Sequence, residues 1–259
     1  MMRACCGLLF VLAAGGALTA CTTTTTGGPV SKKSPELAAK YNAQLASGYM
    51  REGRMDLARQ KLADALKEAP HLAVVRNTLA LYYTRLAEYG KAEKQYKLSL
   101  EYKPGDPDTL NNYGVFLCSH GKPRASIKYF TQAAGDLDYN TPDSALANAG
   151  LCAQKIPDDK LATQYFRRAL AVNPNQSQAL WQLGLMAFTQ GRYSQANGYL
   201  SHLIDIQARP AARVLWVAIE TNWTLGRARQ AKKYGRQLLT EYPGSPEAKK
   251  FVQLLSHSK

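Results

Sequence analysis

The chain has 259 residues, of which 46% are hydrophobic and 20% charged. This balance belongs to ordinary globular proteins and excludes collagenous or wholly disordered chains. The charge is lopsided: 33 Lys plus Arg stand against 19 Asp plus Glu, a formal net charge of +14, which points to an acidic partner, an anionic surface or nucleic acid.

At the N-terminus, Arg3 precedes an apolar, small-residue run from Cys5 to Leu18, followed by Leu18-Thr19-Ala20-Cys21. A basic start, a short apolar run and a small-residue cleavage site make a secretory signal peptide over residues 1–20. The apolar stretch Leu8–Ala20 falls short of the roughly 20 residues that a transmembrane helix needs. The order Leu-Thr-Ala-Cys resembles a bacterial lipobox. That resemblance implies cleavage before Cys21 and acylation of Cys21 itself. Thr22 stands where an inner-membrane retention signal would have Asp, which implies sorting to the outer membrane and a lipid-anchored position on its periplasmic face. An ordinary signal peptide with an incidental Cys is the alternative. Residues 21–35 read as the acylated Cys and a flexible tether of Thr, Gly, Pro and Lys with almost nothing to bury. If fully flexible, the tether reaches roughly 20 Å. Export also removes nucleic acid as a partner.

From residue 36 to 259 the sequence repeats itself. Pro70 and Pro104 lie 34 residues apart, and Pro174 lies two further repeats along. In this register the repeats cover 39–72, 73–106, 107–142, 143–176, 177–211 and 212–245. Small and large residues recur in order: Ala46, Ala58 and Leu62 in the first; Ala80, Ala92 and Tyr96 in the second; Gly114 and Phe130 in the third; Gly150, Ala162 and Phe166 in the fourth; Gly184, Ala196 and Leu200 in the fifth; Gly226, Ala231 and Leu238 in the sixth. Ser34-Pro35, Asp106-Pro107, Thr141-Pro142 and Ser245-Pro246 each place a capping residue before Pro at the first helical position. The last of them opens a lone helix over 246–255, whose Phe251, Leu254 and Leu255 cover the sixth repeat while Lys249, Lys250 and Gln253 face water.

This pattern resembles the tetratricopeptide repeat. The resemblance implies an all-α fold: a right-handed superhelical solenoid of six tetratricopeptide repeats plus a C-terminal capping helix. Each unit is a pair of amphipathic helices, A and B, turning near Gly53, Gly121, Gly191 or Gly226. Gly114, Gly150 and Gly184 admit close approach, and Leu62, Tyr96 and Phe166 fill the space between neighbours. A pair cannot bury its apolar face alone, so stacking supplies the core.

Nothing in the sequence carries catalysis. The four His are scattered, none has metal-ligand spacing with another His or Cys, and no metalloprotease, nucleophile-elbow or phosphate-loop motif is present. The expectation is a protein that is not an enzyme, with no metal, cofactor or small-molecule substrate. In the exported chain Cys118 and Cys152 are the cysteines left over. The repeat register sets them at nearly the same height on adjacent A helices, within disulfide reach; two separate buried thiols are the alternative. The concave surface is the usual partner site of this repeat type. Its helix-A positions give Met50, Leu81, Trp181, Phe188, Trp216 and Trp223, which include all three Trp of the chain. A second candidate is the uncapped edge of the first repeat, with Leu37, Tyr41 and Gln44. Arg227, Arg229, Lys232, Lys233 and Arg236 gather late, as a solvated convex face or as a contact for lipid headgroups or an acidic partner.

Ala38-Ala39-Lys40-Tyr41-Asn42 with Leu45 and Gly48-Tyr49, and the run Leu110 to Cys118 (LNNYGVFLC), go beyond a generic repeat. Together with the lipobox and six repeats they resemble the PilF/PilW family of type IV pilus biogenesis lipoproteins. The resemblance implies a pilotin: an outer-membrane lipoprotein that binds subunits of the type IV pilus secretin and promotes their localisation and multimerisation. Two rival readings share the same features, a repeat scaffold of outer-membrane barrel assembly and an adaptor for cell-wall hydrolases.

Overall fold

The computed structural model describes residues 34–157 and 159–256. The signal peptide, Cys21 and the tether up to residue 33 lie outside the described residues, as does His257. The described residues form thirteen helices and no strand. They run α1 (Pro35–Arg51), α2 (Met55–Glu68), α3 (Ala73–Arg85), α4 (Tyr89–Tyr102), α5 (Pro107–Ser119), α6 (Pro123–Ala133), α7 (Pro142–Ala153), α8 (Asp159–Val172), α9 (Ser177–Thr189), α10 (Tyr193–Ile206), α11 (Ala212–Thr224), α12 (Ala228–Glu241) and α13 (Pro246–Ser256). Each odd-numbered helix packs most heavily on the even-numbered helix after it, giving six hairpins and a last unpaired helix.

Helix starts follow the capping chemistry only in part. Five helices begin at a proline: Pro35, Pro107, Pro142 and Pro246, as the sequence suggests, and also Pro123. Asp106 accepts from the Thr109 N–H at 3.1 Å, and Ser245 Oγ accepts from the Ala248 N–H at 3.1 Å. Ser34 and Thr141 make no side-chain cap bond, so their helices are opened by the fixed φ of Pro alone. Burial would raise the Asp106 carboxyl, but hydrogen bonds from Lys103 and Thr109 outweigh it and hold the group below the usual carboxylate range. Four turns use Gly53, Gly121, Gly191 and Gly226 at φ of 76°, 75°, 72° and 70°. The second hairpin turns through Ala87 instead, at φ 57°, a left-handed conformation in which a Cβ is strained.

A single pairing recurs in every hairpin. A small residue on the first helix lies sixteen positions before a large one on the second: Ala46 and Leu62, Ala80 and Tyr96, Gly114 and Phe130, Gly150 and Phe166, Gly184 and Leu200, Ala218 and Tyr234. The large members are all buried, none more than 2% exposed. A Cβ built on Gly114 or Gly150 would stand 2.7 Å and 2.6 Å from the ring of Phe130 or Phe166. The glycines are therefore the seats of those rings. Deep burial also pushes the Tyr96 hydroxyl up to about 12.

Adjacent hairpins are tied by further buried clusters and by amides. Asn112 Nδ2 donates to Asn77 Oδ1, Asn148 Nδ2 to Asn111 Oδ1 and Asn222 Nδ2 to Asn197 Oδ1, at 3.2, 3.0 and 2.8 Å. Successive odd-numbered helices approach one another closely throughout, whereas the even-numbered helices stand further apart and meet through side chains, as where Thr131 Oγ1 and the Tyr165 hydroxyl lie 3.4 Å apart. The odd helices therefore line the inner face of the solenoid and the even ones its outer face. At the C-terminal end α13 closes the stack. Phe251, 2% exposed, fills a notch over Gly235, where a Cβ would come within 1.9 Å of its ring.

Two glycine substitutions of identical chemistry test this packing by their opposite signs. Gly150→Ala meets Phe166 and costs about 1–3 kcal/mol through overpacking. Gly198→Ala, in the middle of α10 with nothing within 4 Å, gains about 0.5–1 kcal/mol from reduced backbone entropy. Urea denaturation of the two variants reads both shifts.

Candidate functional site

The structure sorts the residues singled out in the sequence into four places. The first is the outer flank of α1. Leu37 and Tyr41 are 48% and 58% exposed, and Leu45, one turn further on, is 49% exposed. Gln44 is exposed beside them. Spaced i, i+4 and i+8, these apolar side chains form a stripe along one face of α1. The opposite face carries Ala39, Ala43, Ala46 and Met50, all buried. Met50 therefore requires correction as a partner-facing residue. It is 3% exposed and packs with Ala46, Ala58 and Leu62, because the 3–4 spacing from Ala46 returns it to the core side of the helix.

The second place is on α3, on the inner face between α1 and α5. Leu81 is half-buried there, wedged between the cluster that contains Leu62 and the one that contains Tyr96. It contributes more to joining two hairpins than to an open surface.

The third is the junction of α5 and α7. Cys118 and Cys152 are bonded, with an S–S distance of 1.95 Å and a Cα–Cα distance of 5.9 Å. Both are buried on the Phe130 ring. Lys155 Nζ donates to the Cys118 carbonyl at 3.1 Å, a second tie across the same junction.

The fourth lies at the C-terminal end of the inner face. Phe188, Trp216 and Trp223 line one recess of about 520 Å³ with Glu220, Thr224, Lys250, Gln253 and Leu254. Trp181 is not among them. It lines a separate recess of about 300 Å³ against Leu203 and Val214, with the Arg213 guanidinium 5.7 Å from its ring centroid. Glu220 and Lys250 were not legible as groove residues. Burial raises the Glu220 carboxyl above its ordinary value, and the nearby Lys250 charge opposes the rise. Lys250 is exposed, yet its ammonium stands 5.9 Å from the Trp216 centroid. The signal available was spacing: Trp216, Glu220, Trp223 and Thr224 fall at i, i+4, i+7 and i+8 on one helix face.

Among the described residues no group of three or more His, Cys, Asp or Glu is placed to hold a metal ion, and no helix is long and apolar enough to cross a membrane. What the surface offers is relief: an apolar edge, an aromatic recess and a basic outer helix on a rigid scaffold of hairpins. Such an arrangement binds other proteins, and the fold and surface define a tetratricopeptide-repeat interaction scaffold. Residues 161–207 match a family model described as a tetratricopeptide repeat. The type IV pilus assembly protein PilF of Pseudomonas aeruginosa is 28% identical over 208 residues, covering 80% of this chain and 82% of PilF. A solved structure of P. aeruginosa PilF superimposes with a TM-score of 0.73 at 26% identity, over 86% of this chain and all of that one. The crystal structure of PilW, described as a widely conserved type IV pilus biogenesis factor, gives 0.67 at 30% identity over 83% of this chain and 98% of PilW. The chain belongs to the PilF/PilW family of type IV pilus biogenesis proteins.

The disulfide closes a loop with a sequence separation of 34. In the chain-entropy view a loop of that size stabilises by about 4 kcal/mol. The double variant Cys118→Ser/Cys152→Ser is expected to keep its helical circular dichroism at 25 °C and to lose stability of that order. Guanidinium denaturation measures the loss, and the wild type treated with reductant should approach the same midpoint.

Proposed function

We propose that this protein is a pilotin of the type IV pilus secretin. Anchored by acylated Cys21 to the periplasmic side of the outer membrane, it binds secretin subunits through a repeat surface and raises their concentration where the ring assembles. Membership of the PilF/PilW family supports the pilus setting. The observation that carries the binding claim is the bare apolar stripe of Leu37 and Tyr41 on α1, next to Gln44. Among the described residues, hairpins two to five have a complete hairpin on each side and the sixth has α13, while α1 shows an unpartnered face.

The mechanism is physical rather than covalent. Each methylene of an acyl chain contributes about 0.8 kcal/mol to membrane retention, so several chains on one Cys hold the protein for times long against assembly. A tether of about 20 Å keeps α1 close to the bilayer. A secretin segment caught there meets other captured segments at a high effective concentration, and multimerisation follows from proximity. The aromatic recess of Trp216 and Trp223 lies at the far end of the helix order and serves as a subsidiary surface.

Deleting the gene should lower the heat- and detergent-resistant secretin multimer while monomer persists, and twitching motility should be lost; normal multimers refute the proposal. Tyr41→Glu should weaken secretin binding by at least about tenfold through a charge placed in an apolar contact, against a smaller loss for Trp223→Ala. A reversed ranking moves the contact to the recess and leaves the activity standing.

Anchoring is tested separately. Cys21→Ser should appear as an uncleaved or soluble periplasmic product. Its retention in carbonate-washed outer membrane would overturn the lipid assignment.

A further inference from the structure

The C-terminal end carries a second opening that the pilotin reading does not use. A cleft of about 560 Å³ runs between α12 and α13, bounded by Ala228, Lys232, Arg236 and Leu239 of α12, by Phe251 and Leu255 of α13, and by Trp223. The α12 residues recur at i, i+4, i+8 and i+11, one continuous face of that helix. Trp223, Leu239, Phe251 and Leu255 make its walls apolar. No acidic residue is among its described lining, and Lys232 and Arg236 stand one turn apart along it. The charge is uncompensated. Neither these two nor Arg227, Arg229 and Lys233 belong to any ion pair among the described residues. The one acid of α12, Glu241 at its far end, accepts from Gln237 instead.

The position in the solenoid matters as much as the composition. Every earlier even-numbered helix is followed by a complete hairpin, whereas among the described residues α12 is followed by α13 alone. The face that further stacking would cover is left as a cleft, and its residues are not those of a plain solvated cap.

The geometry points to this cleft as the docking site of an acidic amphipathic helix of a partner protein, with carboxylates against Lys232 and Arg236 and apolar side chains against Trp223 and Leu239. The stripe from Ala228 to Leu239 spans about 16 Å at 1.5 Å per residue, so three turns of helix suffice to follow it. A second copy of this chain is the wrong occupant, since a formal charge of +14 repels itself. A lipid surface is the wrong shape. A flat anionic bilayer meets the outward cations Arg229 and Lys233 at least as well as the pair set into the cleft.

That difference supplies the test. The probe is a labelled 18-residue peptide with Glu at i and i+4 beside a Leu/Phe face, read by fluorescence anisotropy on the unacylated chain from residue 22 onward at low and at physiological salt. Two controls accompany it: a scrambled peptide of equal composition, and vesicles of phosphatidylglycerol and phosphatidylethanolamine at 1:3. The patterned peptide should bind, more weakly at higher salt, and the scrambled one at least tenfold more weakly still. Lys232→Glu/Arg236→Glu should cost tenfold or more, whereas the charge-matched Arg229→Glu/Lys233→Glu should change affinity by less than twofold. Leu239→Ala, which keeps every charge, should also weaken binding. Both double variants alter exposed positions, and thermal melts confirm that they fold. Equal binding of the scrambled peptide, equal loss from the two double variants, or binding to the vesicles alone would each overturn the docking site.

Discussion

Each hairpin of this solenoid depends on one steric fit: a large side chain of the second helix seated on a small residue of the first, sixteen positions earlier. Where the small residue is Gly114 or Gly150, an aromatic ring lies against bare backbone, with no room for a single methyl group. The fit sets the distance between paired helices, and the distance sets which side chains remain outside. The exposed stripe of α1 and the aromatic recess near α13 both follow from it, because each is what the buried 3–4 stripe leaves on the other side of its helix. The same fit recurs at the C-terminal end in a different form, where Phe251 enters over Gly235 and lets one helix close the stack.

Much of this was legible in the sequence because the constraint is periodic. The 34-residue register, the prolines at helix starts and the glycines at turns are local signals, and each has a local physical cause. Side-chain direction is harder to read. Met50 and Trp181 both occupy positions that line the groove in this repeat type. The 3–4 spacing from Ala46 puts Met50 on the core side against Ala58 and Leu62, while Trp181 faces Leu203 beside the Arg213 guanidinium. The charged members of the recess are hard to read from sequence for another reason. Glu220 and Lys250 come from helices thirty residues apart, and only the docking of α13 brings them to the same aromatic wall. Periodicity shows what is buried more readily than what is gathered.

The two faces of the solenoid carry different chemistry. The odd-numbered helices present amides, aromatics and the bonded cysteines, and bridge to one another through Asn77–Asn112 and Asn111–Asn148. The even-numbered helices turn outward and hold much of the excess positive charge, most densely on α12. A scaffold built this way separates a shape-selective inner surface from a long-range electrostatic outer one, and the two engage partners on different physical terms.

The Cys118–Cys152 bond bears on how such a chain loosens. In a linear array each unit is held by its neighbours, so disorder enters at the termini and advances inward one hairpin at a time. A covalent staple between α5 and α7 halts that advance at the third and fourth hairpins. It leaves a fixed midsection with a free-standing arm on either side, two hairpins toward α1 and two toward α13. Fraying of one arm is then not transmitted to the other. The two arms then loosen separately, and the stapled midsection between them is the part that keeps its shape longest.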